Sequence, residues 1–283
     1  MELFLIGYFK EKGFEVSDDT YGNFYVTKHE NKDSNLFVGI VSHTDTVHDI
    51  IDNYNVFETD DLFFGFDEAT GEQYGCGGDD KVGIFAALTM FDKFDNIKLF
   101  FAKDEEVGTI GSYHCNIEFF EDCTLLIQCD RAGNDEVITF TNGVKVASTK
   151  FEKSIRPLLS KYNYHLGHGS ITDVGTLVKQ NIGITAINIG CGYWNAHRSK
   201  EVVVKADVTN CFNLVYDILK LYENEISHHK IQLLKEGRRV GFIANSNSNT
   251  NTSYNATNAV SDYGHAVCST CWEFVDNCIC DDK

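Results

Sequence analysis

The chain has 283 residues, 43% hydrophobic and 13% aromatic, enough for one sizeable core or one domain with an appendage. Its 42 acidic residues outnumber 24 basic ones for a net charge of −18, which excludes the basic footprint of a nucleic-acid binder. No apolar run approaches the roughly 20 residues that cross a bilayer.

The opening residues, Met1 to Gly13, read as an amphipathic helix stopped by glycine; with Glu2 and no basic start they do not read as a secretory leader. Phe14–Ser17 and Asn23–Thr27 alternate around the turn Asp19-Thr20-Tyr21-Gly22, a strand-turn-strand pattern. Leu36 to Val41 is nearly all apolar, as in a strand buried on both faces, and runs into Ser42-His43-Thr44-Asp45-Thr46-Val47. Residues 49–75 look irregular and acidic, a set of surface loops. Gly75-Cys76-Gly77-Gly78-Asp79-Asp80-Lys81-Val82-Gly83 then leads into a helix with Ile84, Leu88 and Phe91 on one face.

Ile97–Ala102 is a second buried strand, and it stops abruptly in Asp104-Glu105-Glu106-Val107-Gly108. Leu125–Cys129 is a third, ending at Asp130-Arg131, and Val137–Thr141 reads as an edge strand. Lys150–Tyr162 is helical around Pro157, and Ser170, Thr172 and Asp173 offer N-caps for a helix to Lys179. Tyr164–Gly169 between them is a glycine-flanked loop holding His165 and His168. Ile184–Ile189 is another apolar strand, followed by Gly190-Cys191-Gly192-Tyr193-Trp194-Asn195-Ala196-His197. Val208, Cys211, Val215, Ile218 and Tyr222 recur at helical spacing. Strands alternating with helices predict an α/β fold, a three-layer α/β/α sandwich on a mixed, largely parallel sheet.

Acids crowded at strand ends need a positive partner, and open α/β sheets bind ligands outside the carboxyl ends of their strands. Four such clusters (His43 with Asp45, Asp79 with Asp80, Glu105 with Glu106, and Asp130) are joined by His197 after a further strand. Imidazole plus carboxylate suits zinc, cobalt or manganese better than magnesium. A carboxylate shared between two ligand sets would hold two ions about 3.5–4 Å apart, as in two-metal hydrolases.

These motifs resemble those of the co-catalytic zinc exopeptidases, the superfamily of peptidase T, zinc aminopeptidases and the aminoacylase/carboxypeptidase group. The resemblance spans about residues 1–225, in order and spacing, with the peptidase T branch nearest. It implies that His43 and Asp130 bind one metal, Glu106 and His197 the other, and Asp79 both. It further implies Glu105 as general base on a metal-bridging water, Asp45 as the residue orienting His43, and a cis peptide after Asp79. His168, Tyr193, Asn195 and Arg198 are candidate substrate contacts. The interval from Asp130 to His197 is too short for the separate lid or dimerisation domain of larger members. The expected activity is aminopeptidase action on short peptides; an N-acyl amino acid deacylase and a non-catalytic, metal-retaining binding protein are the alternatives.

The catalytic-type domain is expected over 1–243, followed by an Asn/Ser/Thr-rich linker over 244–262 and a cysteine-rich tail over 263–283. In the tail Cys268, Cys271, Cys278 and Cys280 suit a third, structural zinc, with reduced thiols or disulfides as alternatives, and the module could contact a partner or a second copy. Cys115, Cys123, Cys129 and Cys211, in partly apolar contexts, read as buried thiols in a reducing, cytoplasmic setting.

Overall fold

The computed structural model describes residues 1–229 and the backbone of two short strands, Asn258–Val260 and Ala266–Cys268, which pair antiparallel. Apart from the backbone of Asn258–Val260, the expected linker lies outside the described residues, as do three of the four tail cysteines and the side chain of Cys268.

Helix α1 (Glu2–Glu11) buries Leu5 and Phe9. Strands β1 (Val16–Asp18), β2 (Phe24–His29) and β3 (Phe37–His43) follow, then β4 (Tyr54–Glu58), β5 (Leu62–Asp67) and β6 (Glu72–Tyr74). Helix α2 (Gly78–Lys93), β7 (Asn96–Ala102), α3 (Ile110–His114) and β8 (Cys123–Arg131) come next. The rest is β9 (Glu136–Thr141), β10 (Val144–Lys145), α4 (Thr149–Tyr162), β11 (His165–Gly169), α5 (Asp173–Lys179), β12 (Ala186–Gly190), β13 (Tyr193–Trp194), β14 (Val202–Val204) and α6 (Lys205–Leu221).

The main sheet runs β1-β2-β7-β3-β8-β12-β9-β10, with β11 also paired to β9. Its centre, β7-β3-β8-β12, is parallel, and antiparallel strands flank it on both sides. Alternation along the central strands splits the core in two. Val38, Ile40, Ile97, Leu99 and Ile127 pack under α1, α2, α4 and α6, whereas Phe37, Val41, Phe100 and Ala186 pack against α5 and the 3-10 turn at Phe120. The result is an α/β fold with helices on both faces of a mixed sheet. No helix of the described residues is long and apolar enough to cross a membrane.

Three local expectations are corrected. Residues 49–75 are not irregular: β4, β5 and β6 join β13 and β14 in a second, five-stranded sheet. The aromatics Phe63, Phe64 and Phe66 lie in β5, while Asp60, Asp61 and Glu68 lie outside its ends; Phe57 and Phe64, opposite each other in register, stack at 5.8 Å. Val137–Thr141 is not an edge strand, because β9 pairs with β10, β11 and β12. Residues 165–169 form strand β11 rather than a loop. Glycine is required there by close approach: a Cβ on Gly169 would sit 2.9 Å from Ile138 Cγ2, and one on Gly167 2.8 Å from Glu136 Oε1.

Candidate metal-binding active site

The parallel centre of the sheet delivers the site. β3 ends at His43, β7 leads into Glu105 and Glu106, β8 ends at Asp130-Arg131, and β12 leads through β13 to His197. Asp79 enters from the start of α2, where Asp79 and Asp80 depart from helical geometry and their peptide bond is cis. All lie at one rim, where open α/β sheets place their ligands.

Asp79 stands at the centre. Its Oδ1 lies 3.0 Å from His43 Nε2 and its Oδ2 3.1 Å from His197 Nε2. Asp130 Oδ1 lies 3.6 Å from the same His43 nitrogen, and Glu106 Oε2 lies 3.0 Å from His197 Nε2. The residues thus form two sets that share Asp79. Glu105, His43 and Asp130 also bring ligand-type atoms within 4.8 Å of one another, as do His43, Asp79 and Glu106.

Asp45 fixes three of these residues at once. Its two carboxylate oxygens accept the backbone N–H groups of Glu105 and Glu106, each at 3.1 Å, and Oδ1 faces His43 Nδ1 at 3.3 Å. That ion-pair contact is not a hydrogen bond, and His43 Nε2 faces the cluster on the other side of the ring. Asp80, buried beneath, accepts the Ser42 hydroxyl (2.6 Å) and the N–H groups of His43 and Gly83, tying β3 to α2. Gly83 leaves the room: a Cβ there would stand 2.2 Å from Asp80 Oδ1.

Burial and mutual repulsion dominate the electrostatics. Burial, then Asp130 and Asp173, pushes the Glu105 carboxyl up to about 10. Burial and the Asp79 charge raise Glu106 and Asp130 to about 7 each. Burial alone would depress His43, but Asp130, Asp45 and Asp79 outweigh it and hold the imidazole well above its ordinary value. Arg131, the one lysine or arginine among the described residues lining the cleft, is taken up by Glu136 Oε2 at 2.5–2.8 Å. Glu106 Oε1 is buried without a hydrogen-bond partner. Two imidazoles, a surplus of buried carboxylates and an orphaned acceptor are a donor set that fits borderline divalent cations such as zinc, cobalt or manganese.

The cleft above the cluster has a volume of about 190 Å³ and includes Ile138, Ser170, Ile171 and Tyr193 in its walls. The buried Tyr193 hydroxyl lies 3.3 Å from Asp79 Oδ2 and 3.2 Å from Asp130 Oδ1. The other candidate substrate contacts do not line this cleft. His168 is exposed and its ring lies 5.2 Å from that of Phe140, Asn195 donates to the Lys200 carbonyl, and Arg198 is exposed.

Sequence reasoning missed several supporting residues. Gln128 donates to Asp130 Oδ2 (3.1 Å) and Asp173 Oδ2 (3.0 Å), and Ser112 donates to Asp173 Oδ1 (2.6 Å). Asp173 is therefore no helix cap, and Thr172, at the cap position, gives its hydroxyl to Gln128 instead. Glu201, fully buried four residues after His197, accepts the backbone N–H groups of Gly77 and Asp79. Of these only Gln128, a polar residue within an apolar run, carried a signal in the sequence.

The fold is similar to that of solved aminopeptidase and tripeptidase structures. No protein-family model matches the sequence, and no curated protein does. Among solved structures, the aminopeptidase PepT from Bacillus cereus is 14% identical, with a TM-score of 0.59 over 78% of this chain and 92% of that one. A tripeptidase from Staphylococcus aureus is 13% identical, with a TM-score of 0.59 over 77% and 91%. A TET aminopeptidase from a marine-sediment thaumarchaeon is 12% identical, with a TM-score of 0.58 over 80% and 92%.

Proposed function

We propose that the chain is a metal-dependent aminopeptidase acting on short peptides, with two divalent ions, zinc foremost, held by His43, Asp79, Glu106, Asp130 and His197. One observation carries the reading. Glu105 lines the cleft beside the ligand cluster, and no hydrogen bond or ion pair among the described residues engages its carboxylate. A protein that merely held metal would need ligands but no free acid beside them.

Bound divalent ions supply a water of lowered pKa and polarise the scissile carbonyl. The chain's own residues do the rest. Asp45, by holding the Glu105 and Glu106 backbone, aims one carboxylate at the ligand cluster and leaves the other free. Glu105 takes the proton of the attacking water and returns it to the amine nitrogen that leaves. The Tyr193 hydroxyl, which faces Asp79 and Asp130, would reach a substrate carbonyl only by turning its one proton away from those carboxylates. The neighbouring walls at Ile138 and Ile171 are apolar and would flank a substrate side chain.

The test is hydrolysis of aminoacyl, dipeptidyl and N-acetyl-amino acid substrates with added zinc, cobalt or manganese. Release of an N-terminal residue is expected. Activity confined to the N-acetyl compounds would replace aminopeptidase with deacylase, and no hydrolysis with metal bound would leave a binding protein.

A further inference from the structure

One buried carboxylate outside the ligand set touches three of the segments that carry it. Glu201 is 0% exposed and has no lysine or arginine partner among the described residues. Its Oε2 accepts the Gly77 N–H at 2.6 Å and lies 3.0 Å from His48 Nε2; its Oε1 accepts the Asp79 N–H at 3.2 Å. Its carbonyl accepts Gln73 Nε2 at 3.3 Å. Gly77 and Asp79 belong to the segment that presents the shared carboxylate, and His48 follows His43 and Asp45 on the loop after β3. Glu201 itself ends the turn that begins at Arg198, the residue after His197, its N–H bonded to the Arg198 carbonyl.

The surrounding glycines are shaped to this junction. A Cβ on Gly75 would fall 2.0 Å from the His48 ring, and one on Gly78 2.8 Å from Tyr193 Cβ and 3.5 Å from Glu201 Oε1. Gly77 also has φ +63°, a left-handed conformation that glycine adopts without strain. The chain is therefore brought tightly around one acceptor, and a buried carboxylate persists only where its hydrogen bonds are met.

We infer that Glu201 is a positioning residue: it sets the Asp79 carboxylate and holds the His43 and His197 segments at the separation that metal binding needs. The inference rests on reading the cluster as a dication centre. Glu201 touches no ligand side chain; it acts through the backbone of one ligand and the loops of two others. Glutamine at this position keeps the shape but replaces one acceptor with a donor facing N–H groups.

The experiment is a cobalt(II) titration of the full chain, read by calorimetry and by visible absorption, which reports ligand geometry. Glu201→Gln is expected to bind cobalt about 10–100-fold more weakly, the range for residues that support metal ligands, with an altered absorption band. His48→Ala, on the partly exposed loop, is expected to weaken binding several-fold. Wild-type affinity and spectrum in Glu201→Gln overturn the inference, whatever its thermal stability. Should that variant not fold, wild-type affinity and spectrum in His48→Ala overturn it. A wild-type chain that takes up no cobalt removes the metal-centre reading itself, and the inference with it.

Discussion

Asp104, Glu105 and Glu106 are neighbours in sequence with three separate environments. Asp104 sits at φ +54° and accepts the Tyr21 hydroxyl at 2.6 Å, so it shapes the turn. Glu106 meets His197, and Glu105 is left unpaired beside His43 and Asp130. Glu105→Gln keeps size and removes the base; activity is expected to fall by about 10²–10⁴-fold, the usual contribution of general base catalysis, with metal content unchanged. Kinetics alongside metal analysis of the same preparation check it, and lost metal would make Glu105 a ligand instead. Asp45→Asn turns one acceptor toward N–H groups as a donor. Metal affinity is expected to drop by about 10–100-fold, measured by competition with a chelating dye; an unchanged affinity would show that His43 needs no orienting partner.

At the scale of elements, the four parallel strands matter most, because their carboxyl ends fix where ligands arrive. Their runs, Phe37–Val41, Ile97–Ala102, Leu125–Cys129 and Ala186–Ile189, are apolar but for Lys98, Gln128 and Asn188, because both faces are covered. That made them, and the polar residues ending them, legible in sequence. β10, two residues long, and β11, rich in glycine, carry no strand pattern; only their partner β9 explains them. Asp173 and Glu201 were hidden for a related reason: a lone buried acid gains meaning from backbone groups distant in sequence. Where α2 begins, packing and propensity oppose each other. Gly83→Ala would gain up to about 1 kcal/mol of helix propensity. Its Cβ would also be forced 2.2 Å from Asp80 Oδ1, and overpacking costs about 1–3 kcal/mol. A lowered melting temperature is expected in thermal unfolding; a raised one would show that Asp80 can move without loss.

Over the whole molecule, the site places a charge burden on folding that depends on pH. Without divalent cations, the native state holds Glu106 and Asp130 at about 7 and Glu105 at about 10, and His43 above its ordinary value, while the unfolded chain returns all four to ordinary values. Every one of these shifts is upward, so between about pH 5 and 8 the native state binds more protons than the unfolded one. Unfolding free energy then falls as pH rises, by about 1.4 kcal/mol per pH unit for each extra proton held. Asp79 and Asp45 shift downward, and their contribution is lost only below about pH 4, outside this window. Urea unfolding of chelator-treated protein at pH 5, 6, 7 and 8 is expected to show steadily decreasing stability. A dication reverses the local charge and favours the ionised carboxylates. Zinc or cobalt in excess is therefore expected to flatten or invert the slope and to raise stability most at pH 8, where metal must displace the fewest protons. Chelator-treated protein whose stability rises from pH 5 to 8 would mean that these carboxylates are neutralised by protein groups, and the cluster would then not be a cation site.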